Sequence, residues 1–392
     1  MMPSIRRFLT SISAACLFAV PAFSADEGVS ADGVVFAQVA ALDGPASALG
    51  TGMRNGIALA FEEANAAGGV HGRMVSLDSF DDGYEPDRSV TEVRRIIEGN
   101  QHIALIGPVG TPTSQATQPL TTEAGMPFIG PFTGAGFLRD PSLGNVINVR
   151  ATYAAETEAW IAYLVDDLGM NNIAILYQDD GFGRVGLDGV TAALSARGME
   201  LAAQGTYTRN TVAVKSALLD IRKAEPDAVV MVGAYKPIAE FIKLSRKMGM
   251  DATFVNISFV GSRALSTELG PDGEGVIISQ VVPFPWDTSV GIVAEYHAAI
   301  DAHGEGAEPD FIKLEGYIVG RLALRALEAA GPEPTRAAFM DALAGLGQFE
   351  MGGLEFTFGP GDNQGLDSVF LTRIAADGSF EMVDTGRDTA SR

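Results

Sequence analysis

The sequence predicts an α/β protein in which parallel sheets are covered by helices on both faces, laid down as two series in succession. Two observations carry this. Short apolar runs alternate with amphipathic helical periods, and turn residues separate them. The same grammar then starts afresh near residue 151. With 392 residues, 47% hydrophobic and 19% charged, the chain suits a globular protein of two ordinary domains.

The first series opens with a strand over residues 34–41 and a helix from near Gly50 to Ala67, stopped by Gly68-Gly69. A strand in "RMVSLDSFDD", a helix in "DRSVTEVRRIIEG", a strand in "HIALIGP", a helix in "TSQATQPLTTEAG" and a strand in "MPFIGPF" follow. The second series has a helix in "AAETEAWIAYLVDDLG", a strand in "NIAILYQD" and a helix in "GRVGLDGVTAALSARG". It continues through strand "ELAAQGTY", helix "TVAVKSALLDIRKAE", strand "DAVVMVGA", helix "KPIAEFIKLSRKMGM" and strand "ATFVNIS". Beyond Gly275, "GVIISQVVPFPW" reads as a strand ending in a proline-interrupted connection. Helices in "VGIVAEYHAAIDAHG", "FIKLEGYIVGRLALRALEAAG" and "TRAAFMDALAGLG" precede β-like pieces at the end. In open parallel sheets ligands bind outside the carboxyl ends of the strands, and here those ends carry Gly, Pro, Thr, Tyr and Asp.

The N-terminus pairs Arg6 and Arg7 with an apolar run from Phe8 to Val20, broken by Pro21 and followed by Ala22-Phe23-Ser24. That is the pattern of a cleaved secretory signal over residues 1–24, too short for a permanent anchor. Cys16, the single cysteine, lies inside it. "ISAAC" loosely resembles a lipid-attachment box, but the apolar run continues past it, which favours simple cleavage. The exported chain then has no disulfide, thiolate nucleophile or thiolate metal site. Its net charge of −22 becomes −24 once two arginines leave with the signal, a surface that repels nucleic acid and anionic headgroups.

Chemical motifs are few. The stretch "IGPVGTPTSQATQPL" ends a strand in glycines and hydroxyls, but the lysine of a phosphate loop is missing. What remains is Gly110 and Thr111 at a helix start whose free N–H groups, with Thr111, Thr113 and Ser114, suit a carboxylate; the plain alternative is that Thr113 or Ser114 caps the helix. Gly181-Phe-Gly-Arg-Val-Gly186 has dinucleotide-loop spacing, yet Asp179 and Asp180 intervene and repel a pyrophosphate. Asp180 as an N-cap explains that stretch better. Asp81, Asp82 and Asp87 lack the bidentate glutamate of a calcium loop and read as a solvated turn and cap. Four histidines, with no G-x-S-x-G elbow and no HExxH, leave an enzyme reading without residues, and no cofactor or metal is implied.

The chain resembles the type I periplasmic solute-binding proteins of ABC importers, the leucine/isoleucine/valine-binding-protein group. The likeness runs through "AALDGPASALGTGMRNGIALAFEEANAAGGVHGR", "YEPDRSVTEVRRII", "ALIGPVGTPTSQA", "GMPFIGPFTGAG", "ILYQDDGFGRVG" and "LEGYIVGRLALRALEAAG", covering nearly all of residues 32–385. It implies two doubly wound, Rossmann-like lobes joined by a three-crossover hinge. Crossovers near residues 151, 282 and 356 give lobe 1 as 32–151 plus 282–355 and lobe 2 as 152–281 plus 356–385. It further implies a periplasmic monomer that closes on a small solute and delivers it to an inner-membrane permease and its ATPase. The alternative is a ligand-sensing subunit of a membrane signalling receptor with the same fold.

The resemblance also implies contacts. Thr111 matches a serine that binds the ligand's carboxylate, and Phe132 and Gly134 match positions contacting carboxylate and ammonium. Gly134 lacks the family's hydroxyl, for which the neighbouring Thr133 stands in. Leu49 occupies a side-chain pocket position; Phe182 and Tyr235 match aromatics of the second lobe. Ser258 stands where amino-acid binders carry an acid that pairs the ammonium. Either Asp180 supplies that charge or the ligand is not an α-amino acid.

Overall fold

The computed structural model describes residues 27–304 and 306–385. The signal expected over residues 1–24, with Cys16 inside it, lies outside the described residues. The first series forms β1 (Gly33–Ala40), α1 (Ser47–Ala66), β2 (Met74–Asp81), α2 (Pro86–Gly99), β3 (Leu105–Ile106), α3 (Thr111–Glu123), β4 (Phe128–Ile129) and β5 (Val146–Ile147). These strands make one five-stranded parallel sheet in the order β2-β1-β3-β4-β5. The near-continuous burial of β1 after Val35 is what a parallel strand covered on both faces requires.

The second series forms α4 (Tyr153–Ile161), β6 (Ile173–Gln178), α5 (Gly181–Ser195), β7 (Ala203–Tyr207), α6 (Lys215–Arg222), β8 (Ala228–Val232), α7 (Tyr235–Lys247), β9 (Thr253–Asn256), α8 (Ser262–Leu269) and β10 (Ile277–Gln280). Then come α9 (Gly291–His303), α10 (Phe311–Ala330), α11 (Arg336–Gly345), a hairpin of β11 (Gln348–Met351) and β12 (Leu354–Thr357), β13 (Phe370–Ile374) and β14 (Phe380–Met382). The second sheet has seven strands in the order β14-β13-β10-β9-β8-β6-β7. Strands β6 to β10 are parallel, but β13 and β14 add antiparallel edges, which departs from an all-parallel expectation.

Helices α9 and α10 follow the parallel strands of the second sheet in sequence yet pack on α1 of the first. The α1–α10 contact is backbone-close: a Cβ on Gly56 would come within 2.0 Å of the Lys313 carbonyl, and one on Gly316 within 2.5 Å of the Met53 carbonyl. Glycine at both positions is therefore a packing requirement. Between the sheets the chain crosses three times, after β5, after β10 and after β12. The first and third crossovers run side by side, with the Asn148 N–H on the Asn363 carbonyl at 2.8 Å and the Gly365 N–H on the Asn148 carbonyl at 2.9 Å.

Several expected elements shrink or change. The strands read in "HIALIGP" and "MPFIGPF" are two-residue pairs, because the following glycines and prolines turn out of the ladder. The helix read through "AAETEAWIAYLVDDLG" changes to a π-helical turn over Ala162–Asp167. Asp82 is not solvated: it is fully buried, accepting from the Tyr84 N–H at 2.8 Å and the Ser89 hydroxyl at 2.7 Å. Among the described residues no helix is long and apolar enough to cross a membrane.

Candidate functional site

The carboxyl ends of the two sheets' parallel strands face each other, and the turns beyond them meet. From the first sheet come Tyr84 after β2, Thr111 after β3 and Phe132 after β4; from the second, Phe182 after β6, Tyr235 after β8 and Ser258-Phe259 after β9. Phe259 is the centre. Its ring lies 5.3 Å from Phe132, 5.7 Å from Tyr84 and 4.7 Å from Phe182, and Phe182 in turn lies 5.4 Å from Tyr153. Five buried aromatics thus join the two sheets in one apolar cluster.

The polar end is built on α3. Gly110 precedes it with φ +103°, and a side chain there would meet the Tyr84 ring at 2.2 Å, so both the backbone and the neighbour demand glycine. No side chain caps α3. The capping alternative for Thr113 fails because its hydroxyl turns back to the Val109 and Gly110 carbonyls. Ser114 is buried with its hydroxyl unpartnered. Thr111 and Thr133 share a hydroxyl–hydroxyl bond of 2.7 Å, both fully buried, so Thr133 does stand beside Thr111 at the uncapped helix start.

Gly134 lacks a side chain for a steric reason. A Cβ there would approach the Tyr153 N at 2.6 Å and its ring at 2.7 Å, and the Tyr153 N–H already donates to the Gly134 carbonyl at 2.8 Å. Tyr153 occupies the room a side chain at 134 would need.

The expected residues fall together, Asp180 included: the Gln178 amide that donates to it also reaches the Tyr84 hydroxyl at 3.3 Å. Leu49 is wholly buried and lies against Gly261, where a Cβ would meet it at 2.8 Å; Tyr235 accepts from the Ala48 N–H at 3.4 Å, again joining the two sides. Asp180 caps α5 through the Phe182 N–H at 3.0 Å. It also accepts from Gln178 at 2.7 Å and pairs with Arg209 at 2.9 Å. Arg209 reaches across to Glu85 at 2.8 Å, and Asn210 adds bonds to Glu85 and to the Gly83 carbonyl. Burial opposes it, yet Arg209 and Asn210 hold Glu85 below its ordinary carboxylate range. Asp180 therefore belongs to a clasp between the sheets.

The carboxyl group beside Ser258 comes from elsewhere. Glu156, in the first turn of α4 and fully buried, accepts from the Ser258 N–H and hydroxyl, both at 2.9 Å, and from the Ser279 hydroxyl at 2.5 Å. Burial pushes its pKa up, against the pull of nearby Arg150 and those donors. Arg150 forks onto Glu315, Nε to Oε1 and Nη2 to Oε2, each at 2.8 Å, and lies 4.3 Å over the Phe132 ring. Arg139, half-buried, donates to the Thr133, Ala135 and Arg150 carbonyls and braces that loop. Sequence reasoning missed Tyr84, Arg150, Tyr153, Glu156 and Phe259. Only "NVRATYAAE" offered a sign, charges and an aromatic beside a crossover. The GxGxxG glycines serve packing: a Cβ on Gly183 would lie 1.9 Å from the Gln178 carbonyl. Among the described residues no group of three metal-ligating side chains occurs.

Two doubly wound sheets whose strand tips converge on an aromatic cluster with a hydroxyl-lined helix start define a two-lobed protein of the type I periplasmic binding fold. The chain belongs to the periplasmic binding protein family, whose model matches residues 34–379. A solved structure of a possible leucine/isoleucine/valine-binding protein from Rhodopirellula baltica SH 1 is 36% identical. The match covers 92% of this chain and 98% of that one, with a TM-score of 0.86. The leucine-specific-binding protein of Salmonella typhimurium is 21% identical over 80% of this chain and 84% of its own. A fatty acid ABC transporter substrate-binding protein from Thermomonospora curvata shares the fold, with a TM-score of 0.82 at 20% identity over 92% of this chain and 93% of that one. The type I periplasmic binding fold expected from the sequence is the one observed.

Proposed function

We propose that this protein is the periplasmic receptor of an ABC import system, capturing a small amphipathic carboxylate between its lobes and handing it to an inner-membrane permease. The carrying observation is the Thr111–Thr133 hydroxyl pair at the uncapped start of α3, next along the chain to Phe132 of the Phe132–Phe259–Phe182 rings. Uncapped helix starts favour anions, and the rings favour an apolar body. The lobes are 32–151 with 282–355 and 152–281 with 356–385. Leu49, Gly110, Thr111, Phe132, Thr133, Gly134, Phe182, Tyr235 and Ser258 line the ligand site, while Asp180 serves the clasp with Arg209. Closure follows from contacts the solute makes with both lobes at once, which lower the energy of the closed state alone.

Family membership supports the receptor role, and the relatives named for leucine support an amino acid as the first candidate. The serine at 258 and the five-ring cluster widen the search to other carboxylates, aromatic acids included. A thermal-shift screen of amino acids, their amides, aliphatic acids and aromatic acids tests the reading. A carboxylate that raises the melting temperature in a dose-dependent way is expected. A screen in which only sugars, or no solute, stabilise the protein contradicts it.

A further inference from the structure

Arg150 and Tyr153 are buried at the site, 1% and 0% exposed, and each keeps an unused donor. The Arg150 fork to Glu315 consumes Nε and Nη2, leaving Nη1 without a partner. The Tyr153 hydroxyl makes no hydrogen bond of good geometry; burial holds its proton on, against the pull of Arg150, the Thr133 hydroxyl and the Gly134 backbone close by. Both lie beside the same loop. Arg150 stacks over Phe132, and Tyr153 packs against Gly134 and Phe182. Buried donors without acceptors are rare in folded proteins, because each gives up hydration and receives nothing in return. Two such donors next to a hydroxyl pair indicate a group that is to arrive from outside.

We propose that Arg150 Nη1 and the Tyr153 hydroxyl receive one carboxylate of the solute together with Thr111 and Thr133, making the ligand an anion whose charge is met by a buried guanidinium. Glu315 has a matching part: by holding two of the guanidinium nitrogens it aims the third and keeps Arg150 charged in the core. A neutral amide of the same skeleton offers a weaker acceptor and brings an NH₂ group against these donors. The inference rests on the receptor reading and specifies which end of the solute the site selects.

The test uses paired acids and amides: L-leucine with L-leucinamide, 4-methylpentanoate with 4-methylpentanamide, and phenylacetate with phenylacetamide. Calorimetric titration of the wild type is expected to favour the acid of the binding pair by tenfold or more. Tyr153→Phe is expected to weaken that acid about tenfold with a nearly unchanged ligand-free melting temperature, since the hydroxyl removed makes no well-formed hydrogen bond in the fold. The double variant Arg150→Met/Glu315→Met is expected to erase the acid-over-amide preference; if it fails to fold, Tyr153→Phe decides. Acid binding that ignores Tyr153→Phe, or acids and amides binding equally, overturns the assignment alone. Failure of every pair to bind overturns the receptor reading and this inference with it.

Discussion

The Ser258 hydroxyl and the Glu156 carboxylate meet at 2.9 Å, and the Ser258 N–H joins the same carboxylate at 2.9 Å. The position expected to carry an acid instead carries a serine that grips one from α4. Glu156 is fully buried and has three protein donors; burial pushes its pKa up against the pull of Arg150 and those donors, and an amide in its place keeps an acceptor for them. Glu156→Gln should therefore cost less than about 1 kcal/mol, while Glu156→Ala strands Ser258 and Ser279 and should cost about 1–3 kcal/mol. Urea unfolding of the two variants checks this; equal losses contradict it.

Gly134 has no room for a side chain beside Tyr153. Gly134→Ser, which adds the hydroxyl usual in the family at this place, should destabilise the fold by about 1–3 kcal/mol and weaken solute binding through displaced Tyr153. Thermal melting and titration of the variant measure both effects.

The Arg150–Glu315 pair is 1% and 3% exposed at its side chains. Removing one partner leaves the other charge buried and alone, so Glu315→Ala should cost about 3–5 kcal/mol. Replacing both with methionine should cost far less, and the difference, read in a double-mutant cycle, is the signature of a buried pair.

Asp82 titrates against the fold. Burial pushes its pKa up to about 6 from an ordinary 3.8, despite the Ser89 and Tyr84 donors. The folded state then holds the proton more firmly than the unfolded chain, so this group's contribution is fully favourable below about pH 4 and is lost as pH rises through about 6. Asp82→Asn removes that dependence. Relative to wild type, the variant should gain up to about 3 kcal/mol between pH 4 and pH 7, read by urea unfolding across that range. A constant difference contradicts the assignment.

Much of this architecture was legible in the residues, and the reason is local. Apolar runs such as "DAVVMV" declare parallel strands, and Gly68-Gly69 ends a helix wherever the rest of the chain lies. The helix start at Gly110 and Thr111 was legible too, because a strand ending in glycines and hydroxyls before a helix is a local signal, whereas Thr133 was reached only through the family resemblance. The antiparallel β13 and β14 were not, since strand direction depends on where a crossover returns the chain. Glu156 and Ser258 stand 102 positions apart, and Arg150 and Glu315 165 apart. No spacing rule announces such pairs. Asp82 looked like a surface turn because its burial comes from packing against distant elements rather than from its neighbours in sequence.

The most direct test of two lobes gripping a carboxylate at the start of α3 is the affinity of Thr111→Val for the acid that the screen identifies, measured beside ligand-free stability. The Thr111–Thr133 bond is worth about 1 kcal/mol to the fold, so melting should fall only slightly while affinity falls tenfold or more. Unchanged affinity, or an affinity loss no larger than the loss of stability explains, would contradict the account.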